Sequence, residues 1–235
     1  MKNIKLIVAS VVLSLVFTVS NAQWINFGPR YGVNISTIKG ATGNDSLSTV
    51  KGKTTIPMGL FLVYGNNAHH KLSADFIYSP KGITYGYTAI KNDSVSIKYN
   101  SDLTFNYIEM PMQYTYCLFN DSNKLRVRLS AGMSFGVRLN ANRHYESETS
   151  NTFVNKDKEI ITYKSDFNPG ASYTPVDFAA VAGVGVSYLI TKNIYINADV
   201  RFTRSIQNIS EREVTDLPKV RNQTISAFIG AGWCF

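Results

Sequence analysis

Leu125 to Asn140 alternates without a fault between apolar and small or charged side chains. The odd positions carry Leu125, Val127, Leu129, Ala131, Met133, Phe135, Val137 and Leu139, and the even positions carry Arg126, Arg128 and Arg138 among Ser, Gly and Asn. A β-strand sends successive side chains to opposite faces, so one face of this segment is continuously apolar and the other holds three guanidinium groups. Ordinary strands run about five or six residues, whereas a tilted strand that crosses a bilayer needs about 9 to 11. If the apolar face meets hydrocarbon, a one-residue slip turns three arginines into lipid at roughly 2 to 4 kcal/mol each near the midplane. The register is therefore strongly specified.

The same alternation recurs along the chain and predicts an all-β, eight-stranded antiparallel up-and-down transmembrane barrel. Strand one spans about Trp24 to Ser36 and strand two Thr54 to Tyr64, with the loop Thr37 to Lys53 between them. After the turn Gly65 to His70, strand three starts at Lys71, and Ile83 to Ile90 with Val95 to Tyr99 reads as a protruding hairpin turning at Lys91-Asn92-Asp93. Strand four is Phe105 to Leu118, and the turn Phe119 to Lys124 leads into the opening strand. The longest connection, Ala141 to Pro175, reads as a second hairpin in which Thr152 to Val154 meets Ile160 to Tyr163. Strand six is Val176 to Leu189; strand seven starts at Ile194, and the loop Gln207 to Val220 precedes strand eight, which ends at Phe235. The seven connections alternate long and short, as expected of an outer-membrane barrel with short periplasmic turns and long external loops.

Residues 1–22 read as a secretory signal: Lys2 and Lys5, an apolar run from Leu6 to Val19, and Ser20-Asn21-Ala22 as a small-residue cleavage site. No lipobox cysteine follows it, so no lipid anchor is expected, and residues 23–235 form one domain. No other segment reaches about 18 uninterrupted apolar residues, which excludes a helical membrane protein. The chain carries a formal net charge of +8. Without Lys2 and Lys5 the excess is +6, and for an exported chain the anionic neighbour is lipid phosphate rather than nucleic acid. Cys117 and Cys234 fall near the ends of strands on opposite sides of the barrel, beyond the roughly 7 Å reach of a disulfide, and are expected as free inward-pointing thiols.

Alternation alone does not say which face is inside, and a soluble lipocalin-like carrier would put the apolar face inward. Volume argues against it. An eight-stranded barrel is only just wide enough to be filled by side chains or one small ligand, and the apolar faces supply several dozen large groups. The opposite face alternates glycines with long cations, which suits a cramped lumen. Buried charge must be paired, so Arg30, Arg126, Arg128, Arg138 and Arg201 are expected to form a network with Asp75, Glu109 and Asp199, with Asp177 near the outer rim. Tyr64, Tyr116, Tyr188, Trp233 and Phe235 fall at the short-turn ends as a periplasmic aromatic girdle, and Tyr31, Tyr78, Phe178 and Phe202 as an outer one. Lys53, Lys81, Arg143, Arg204 and Arg221 fall near the outer rim, where they could meet lipopolysaccharide phosphates or simply be solvated loop charges.

Gly28 to Asn34 (G-x-R-Y-G-V-N), Phe76 to Gly82 (F-I-Y-S-P-K-G), Tyr107 to Pro111 (Y-I-E-M-P), A-G-M-S-F-G in the opening strand and Ala182 to Tyr188 (A-G-V-G-V-S-Y) together resemble the PorT-type outer-membrane β-barrel family of Bacteroidota, among the small OmpX/OmpA-like barrels. The resemblance covers essentially the whole mature chain and implies a fold and an outer-membrane location. It does not imply an activity: a role in protein secretion belongs to some relatives and is not carried over by residue. Trp233-Cys234-Phe235 also resembles the aromatic terminal signal read by the barrel-assembly machinery.

Motifs for chemistry are weak. Gly183-Val184-Gly185 lacks the third glycine and the following helix of a dinucleotide site. His69-His70 has no spaced ligand partners for a metal. His144 near Ser147 and Asp166 lacks the spacing of a nucleophile, a base and an orienting group. The expectation is a non-enzymatic barrel without cofactor or metal, its lumen plugged and its external hairpins engaging a protein partner; the rival expectation is a narrow porin-like channel for small solutes.

Overall fold

The structure is a computed structural model, and it describes residues 25–39, 48–65, 69–92, 95–118, 124–151, 159–167, 173–191, 193–209 and 221–234. The signal segment expected at residues 1–22, Trp24 and Phe235 lie outside these. Ten strands form in chain order: β1 (Ile25–Lys39), β2 (Ser48–Thr55), β3 (Met58–Tyr64), β4 (His70–Asn92), β5 (Val95–Cys117), β6 (Leu125–Asn151), β7 (Glu159–Phe167), β8 (Val176–Leu189), β9 (Ile194–Ser205) and β10 (Arg221–Cys234). All pairings are antiparallel, and β10 returns to β1, with Arg30 opposite Gly230 and Lys39 opposite Arg221. β2 and β3 act as one interrupted stave and β7 pairs only with β6, so the closed ring has eight staves. Closure leaves no sheet edge in the ring, which is the condition for β-structure in hydrocarbon.

The ring is inside-out relative to a soluble barrel. Phe27, Leu60, Phe76, Met112, Leu129, Val200 and Ile229 are exposed on the outer face, whereas Arg30, Asp75, Glu109, Asp199 and Arg201 are buried. The soluble-carrier reading is thereby excluded: in lipid the outer apolar belt is the buried surface, and the polar face is sheltered in the lumen.

Three strands are far longer than the sequence suggests. β4 and β5 have 23 residues each and β6 has 27, because the barrel strands run straight on into the hairpins above them. The first hairpin pairs Ile83 with Leu103 and continues to Asn92 opposite Val95. The second is built from β6 itself, Arg143 to Asn151 against Phe167 to Glu159. That corrects the arm expected at Thr152 to Val154, which lies outside the described residues. The stretch expected as loop before strand two also folds in part: Ser48 to Gly52 pairs with Tyr87 to Ile83.

Two irregularities re-aim side chains. Between Gly52↔Ile83 and Met58↔Tyr78 the β2/β3 stave advances six positions against five on β4. This bulge falls at Pro57, whose ring nitrogen cannot donate to a ladder and whose carbonyl accepts from Gly32 N at 2.9 Å. In β6, Asn140 opposes Asn106 but Arg138 opposes Tyr107, so Leu139 is an extra residue. Alternation reverses there. Asn140 is exposed rather than in the lumen, and Ala141 is fully buried.

Candidate functional site

At mid-barrel, β1, β4 and β9 bring four charges to one point. Arg30 Nη1 lies 2.5 Å from Asp75 Oδ2 and its Nη2 lies 2.7 Å from Asp199 Oδ2. Arg201 Nε lies 2.7 Å from Asp199 Oδ1, and its Nη1 donates to Asp75 Oδ2. Each arginine thus bridges both aspartates, and the four formal charges cancel. The Arg30 guanidinium is flanked by the Phe61 and Phe228 rings, 5.0 and 5.1 Å from its carbon, and Arg201 shares Phe228 at 5.3 Å. Arg30 also reaches Asn197 Oδ1 at 3.3 Å. Gly185 makes room beside this cluster, since a Cβ there would sit 2.7 Å from the Asp199 side chain. Arg30 Nε, Asp75 Oδ1 and Asn197 Nδ2 make no hydrogen bond among the described residues, so the ion pairs and not a complete set of hydrogen bonds hold the cluster. The adjoining cavity offers the centre of a water-sized sphere only about 20 Å³, little more than about one water requires.

Above the quartet, Lys81 Nζ donates to Glu109 Oε1. The sequence reading placed Lys81 at the outer rim facing lipid phosphate, and the structure corrects this: its side chain is 2% exposed and lies inside the barrel. The reason is parity, since Lys71, Asp75, Ile77, Ser79, Lys81 and Ile83 all fall on the buried face of β4. Glu109 therefore takes a lysine rather than an arginine as partner. Beside this pair, Asn222 Nδ2 donates to the buried Asp177 Oδ2 at 2.9 Å. Higher still, Ile38, Ile83, Leu103, Phe105, Tyr107, Ala141 and Ile209 form an apolar cluster inside the barrel, with Tyr173 packed on it. Arg138 takes no place in the quartet; its guanidinium carbon lies 6.0 Å from the Phe105 ring.

Below the quartet, at the short-turn end, is a cavity lined by Lys71, Lys124, Arg126, Arg128, Tyr195 and the two cysteines, among others. Arg126 belongs here and not to the mid-barrel network. Arg128 stands between the two, with Nη2 4.0 Å from Asp199 Oδ2. Both cysteines are free and buried, as their diametrically opposed strands require, and the Cys234 thiol donates to Asn26 Oδ1. Tyr195 lies flat over Gly232, where a Cβ would come within 2.5 Å of its ring.

On the outer surface, Tyr64, Tyr116, Tyr188 and Trp233 are exposed at the short-turn end, and Tyr31, Phe178 and Phe202 are exposed further out. Phe235 lies outside the described residues. His69 stacks on Tyr116 with ring centroids 5.9 Å apart, and His70 hydrogen-bonds the Tyr114 hydroxyl, so the histidine pair extends the aromatic belt. Of the other rim cations, Arg204 is exposed; Arg221, Lys53 and Arg143 are half-buried. Lys53 Nζ donates to Thr104 at 2.7 Å, and Arg143, turned inward by the bulge at Leu139, donates Nε to Ser101 at 2.7 Å.

A hydrolytic constellation is not assembled from the residues weighed for it. His144 opposes Asp102 on one side and Asp166 on the other, but Ser147 is three residues along the same strand and so on the opposite face. No group of three or more His, Cys, Asp or Glu residues suited to a metal occurs among the described residues.

A closed ring with an apolar exterior and a charge-paired interior defines an integral membrane β-barrel. The outer membrane protein beta-barrel domain family matches residues 21–211, and the chain belongs to that family. It is a protein of the outer membrane. Among solved structures it is similar to OprG from Pseudomonas aeruginosa, at 10% identity over 91% of this chain and 96% of that one, with a TM-score of 0.48. It is also similar to the outer membrane protease OmpT from Escherichia coli, at 11% identity over 92% and 98%, TM-score 0.47. Neisserial surface protein A shows 14% identity over 88% and 95%, TM-score 0.41. No match is found among curated protein sequences.

Proposed function

We propose that this barrel is non-enzymatic, that its lumen is closed, and that its external hairpins carry its interactions. The observation that carries the reading is the continuation of β4, β5 and β6 above the ring as one antiparallel sheet, extended by β7, which among the described residues pairs with β6 alone. A strand with one satisfied edge offers its other row of N–H and C=O groups to an incoming strand. The finer assignment to the PorT-type barrels rests on the motifs of the sequence. Export by the signal at residues 1–22, insertion by the barrel-assembly machinery and contact of Arg204 with lipopolysaccharide phosphate belong to the same proposal.

The test is to replace residues 85–101 and 144–166 by short turns and map neighbours by crosslinking in intact cells. The shortened barrel is expected to insert, shown by a heat-modifiable band, and to lose the crosslinks made by the full chain. Unchanged crosslinks would remove the hairpins from the interaction. The rival narrow pore is opposed by the neutral quartet, and planar bilayers are the check: the full chain is expected to show no steps above background.

A further inference from the structure

Among the described residues, the lining of the cavity at the short-turn end is rich in cations. Lys71, Lys124, Arg126 and Arg128 line it, and no Asp or Glu is among its described lining residues. Lys71 is 7% exposed, it shares the cavity with Arg126, Arg128 and the Cys117 and Cys234 thiols, and it makes no ion pair among the described residues. Two further buried donors at the same cavity, the Tyr195 hydroxyl and Arg128 Nε, have no hydrogen-bond partner among the described residues. A buried ammonium such as that of Lys71 is costly unless an anion is brought to it.

We propose that this cavity binds a phosphate group presented from the periplasmic side, either as a free phosphate or as the headgroup of an inner-leaflet phospholipid. The donor set selects the ligand. The Lys71 ammonium, the Tyr195 phenol and Arg128 Nε supply more N–H and O–H donors than a halide can organise, whereas a tetrahedral phosphate oxyanion accepts from all three. Space selects it too. About 30 Å³ is open to the centre of a water-sized sphere, two or three times the roughly 10 to 15 Å³ that one water needs. One phosphate enters and the rest of its molecule stays in the mouth. Directly above, the Arg30–Asp75–Asp199–Arg201 quartet closes the way, so the anion is held and not passed on.

Cys117 and Cys234 line the cavity and report on it without any substitution. The purified full chain in dodecyl maltoside, which carries no phosphate, is treated with the neutral reagent methyl methanethiosulfonate. Inorganic phosphate is expected to slow modification about fivefold or more relative to gluconate at equal ionic strength, and to give a saturable calorimetric signal. Lys71→Gln is expected to weaken binding about tenfold while Lys71→Arg retains it, as the loss of one charge-assisted bond requires. Protection in nanodiscs of phosphatidylglycerol without added phosphate, and none by inorganic phosphate in maltoside, identifies the lipid headgroup as the source. Unchanged thiol reactivity of the native chain in every medium overturns the proposal, whether or not the variants fold.

Discussion

At mid-barrel, Arg30 and Arg201 meet Asp75 and Asp199 and the formal charge closes to zero, whereas at the short-turn end four cations share one cavity with no carboxylate among its described lining residues. The two regions lie in the same lumen and use the same residue types. They differ in what each charge is given to face. In the quartet both arginines bridge both aspartates, so every group supports the position of the others and the cluster acts as a structural lock. In the lower cavity Lys71 makes no ion pair, and the Tyr195 hydroxyl and Arg128 Nε make no hydrogen bond, among the described residues. A lumen rich in arginine is therefore not one kind of environment: pairing separates a plug from a receptor.

The largest effect is expected from opening the lock. Asp75→Asn keeps the shape of the side chain but leaves Arg30 and Arg201 sharing one aspartate. Removing one partner of a buried charge cluster costs about 3 to 5 kcal/mol. At about 2 to 4 °C per kcal/mol for a chain of this size, the midpoint at which the heat-modifiable band disappears should fall by roughly 6 to 20 °C. A midpoint within a degree or two of the parent would mean that solvent reaches the quartet and screens it.

A smaller loss is expected at Lys81–Glu109, a single pair and not a quartet. Lys81→Met and Glu109→Gln should each lower the midpoint, and the double variant should recover part of the sum, because it leaves no uncompensated charge. The coupling is expected at about 0.5 to 3 kcal/mol, read from a double-mutant cycle. Additive losses would show that the two side chains do not depend on each other.

Alternation made the wall legible and left the contents of the lumen less so. The fault-free pattern from Leu125 to Arg138 set the faces of β6, and the same alternation in β1, β4 and β9 put Arg30, Asp75, Asp199 and Arg201 inside. Which cation meets which carboxylate was not legible, since Arg30, Asp75 and Asp199 lie on strands that meet only across the lumen. Lys81 was misplaced although its signal was present: every second residue from Lys71 to Ile83 faces inward, and following that rhythm past Pro80 would have put Lys81 beside Glu109. Arg143 was beyond such reasoning, because one extra residue at Leu139 reverses the faces and nothing in the local pattern announces it. The apolar cap around Phe105, Leu103 and Ile38 was hidden for another reason. It breaks the polar-inside rule: Leu103, Phe105 and Tyr107 alternate with Asp102, Thr104 and Asn106, but here the apolar face is the one turned into the lumen.

Lys71 sharpens the comparison because its sign is expected to be opposite. Lys71→Met removes a buried cation that makes no ion pair among the described residues and places an apolar chain of similar length beside Val63 and Leu189. In phosphate-free detergent the midpoint should stay level or rise, by up to about 1 kcal/mol equivalent. In phosphate the parent should gain stability that the variant does not, since a ligand bound only to the folded state raises it by mass action. A loss like that of Asp75→Asn would place Lys71 within a paired network and erase the distinction between the two regions.

The smallest effect is expected at Arg204, an exposed cation on the outer face of β9. Its guanidinium is free to reach water or a lipid headgroup, so nothing is left uncompensated when it goes. Arg204→Gln should move the midpoint by no more than about 2 °C in detergent, while in membranes containing lipopolysaccharide any contribution it makes should fade as salt is raised. The same substitution at Arg30 or Arg201 should resist salt, because those groups are sealed from the ions that screen charge at the surface. A salt-sensitive Arg30→Gln phenotype would show electrolyte entering the lumen to the level of the quartet, and with it the path that a pore would need.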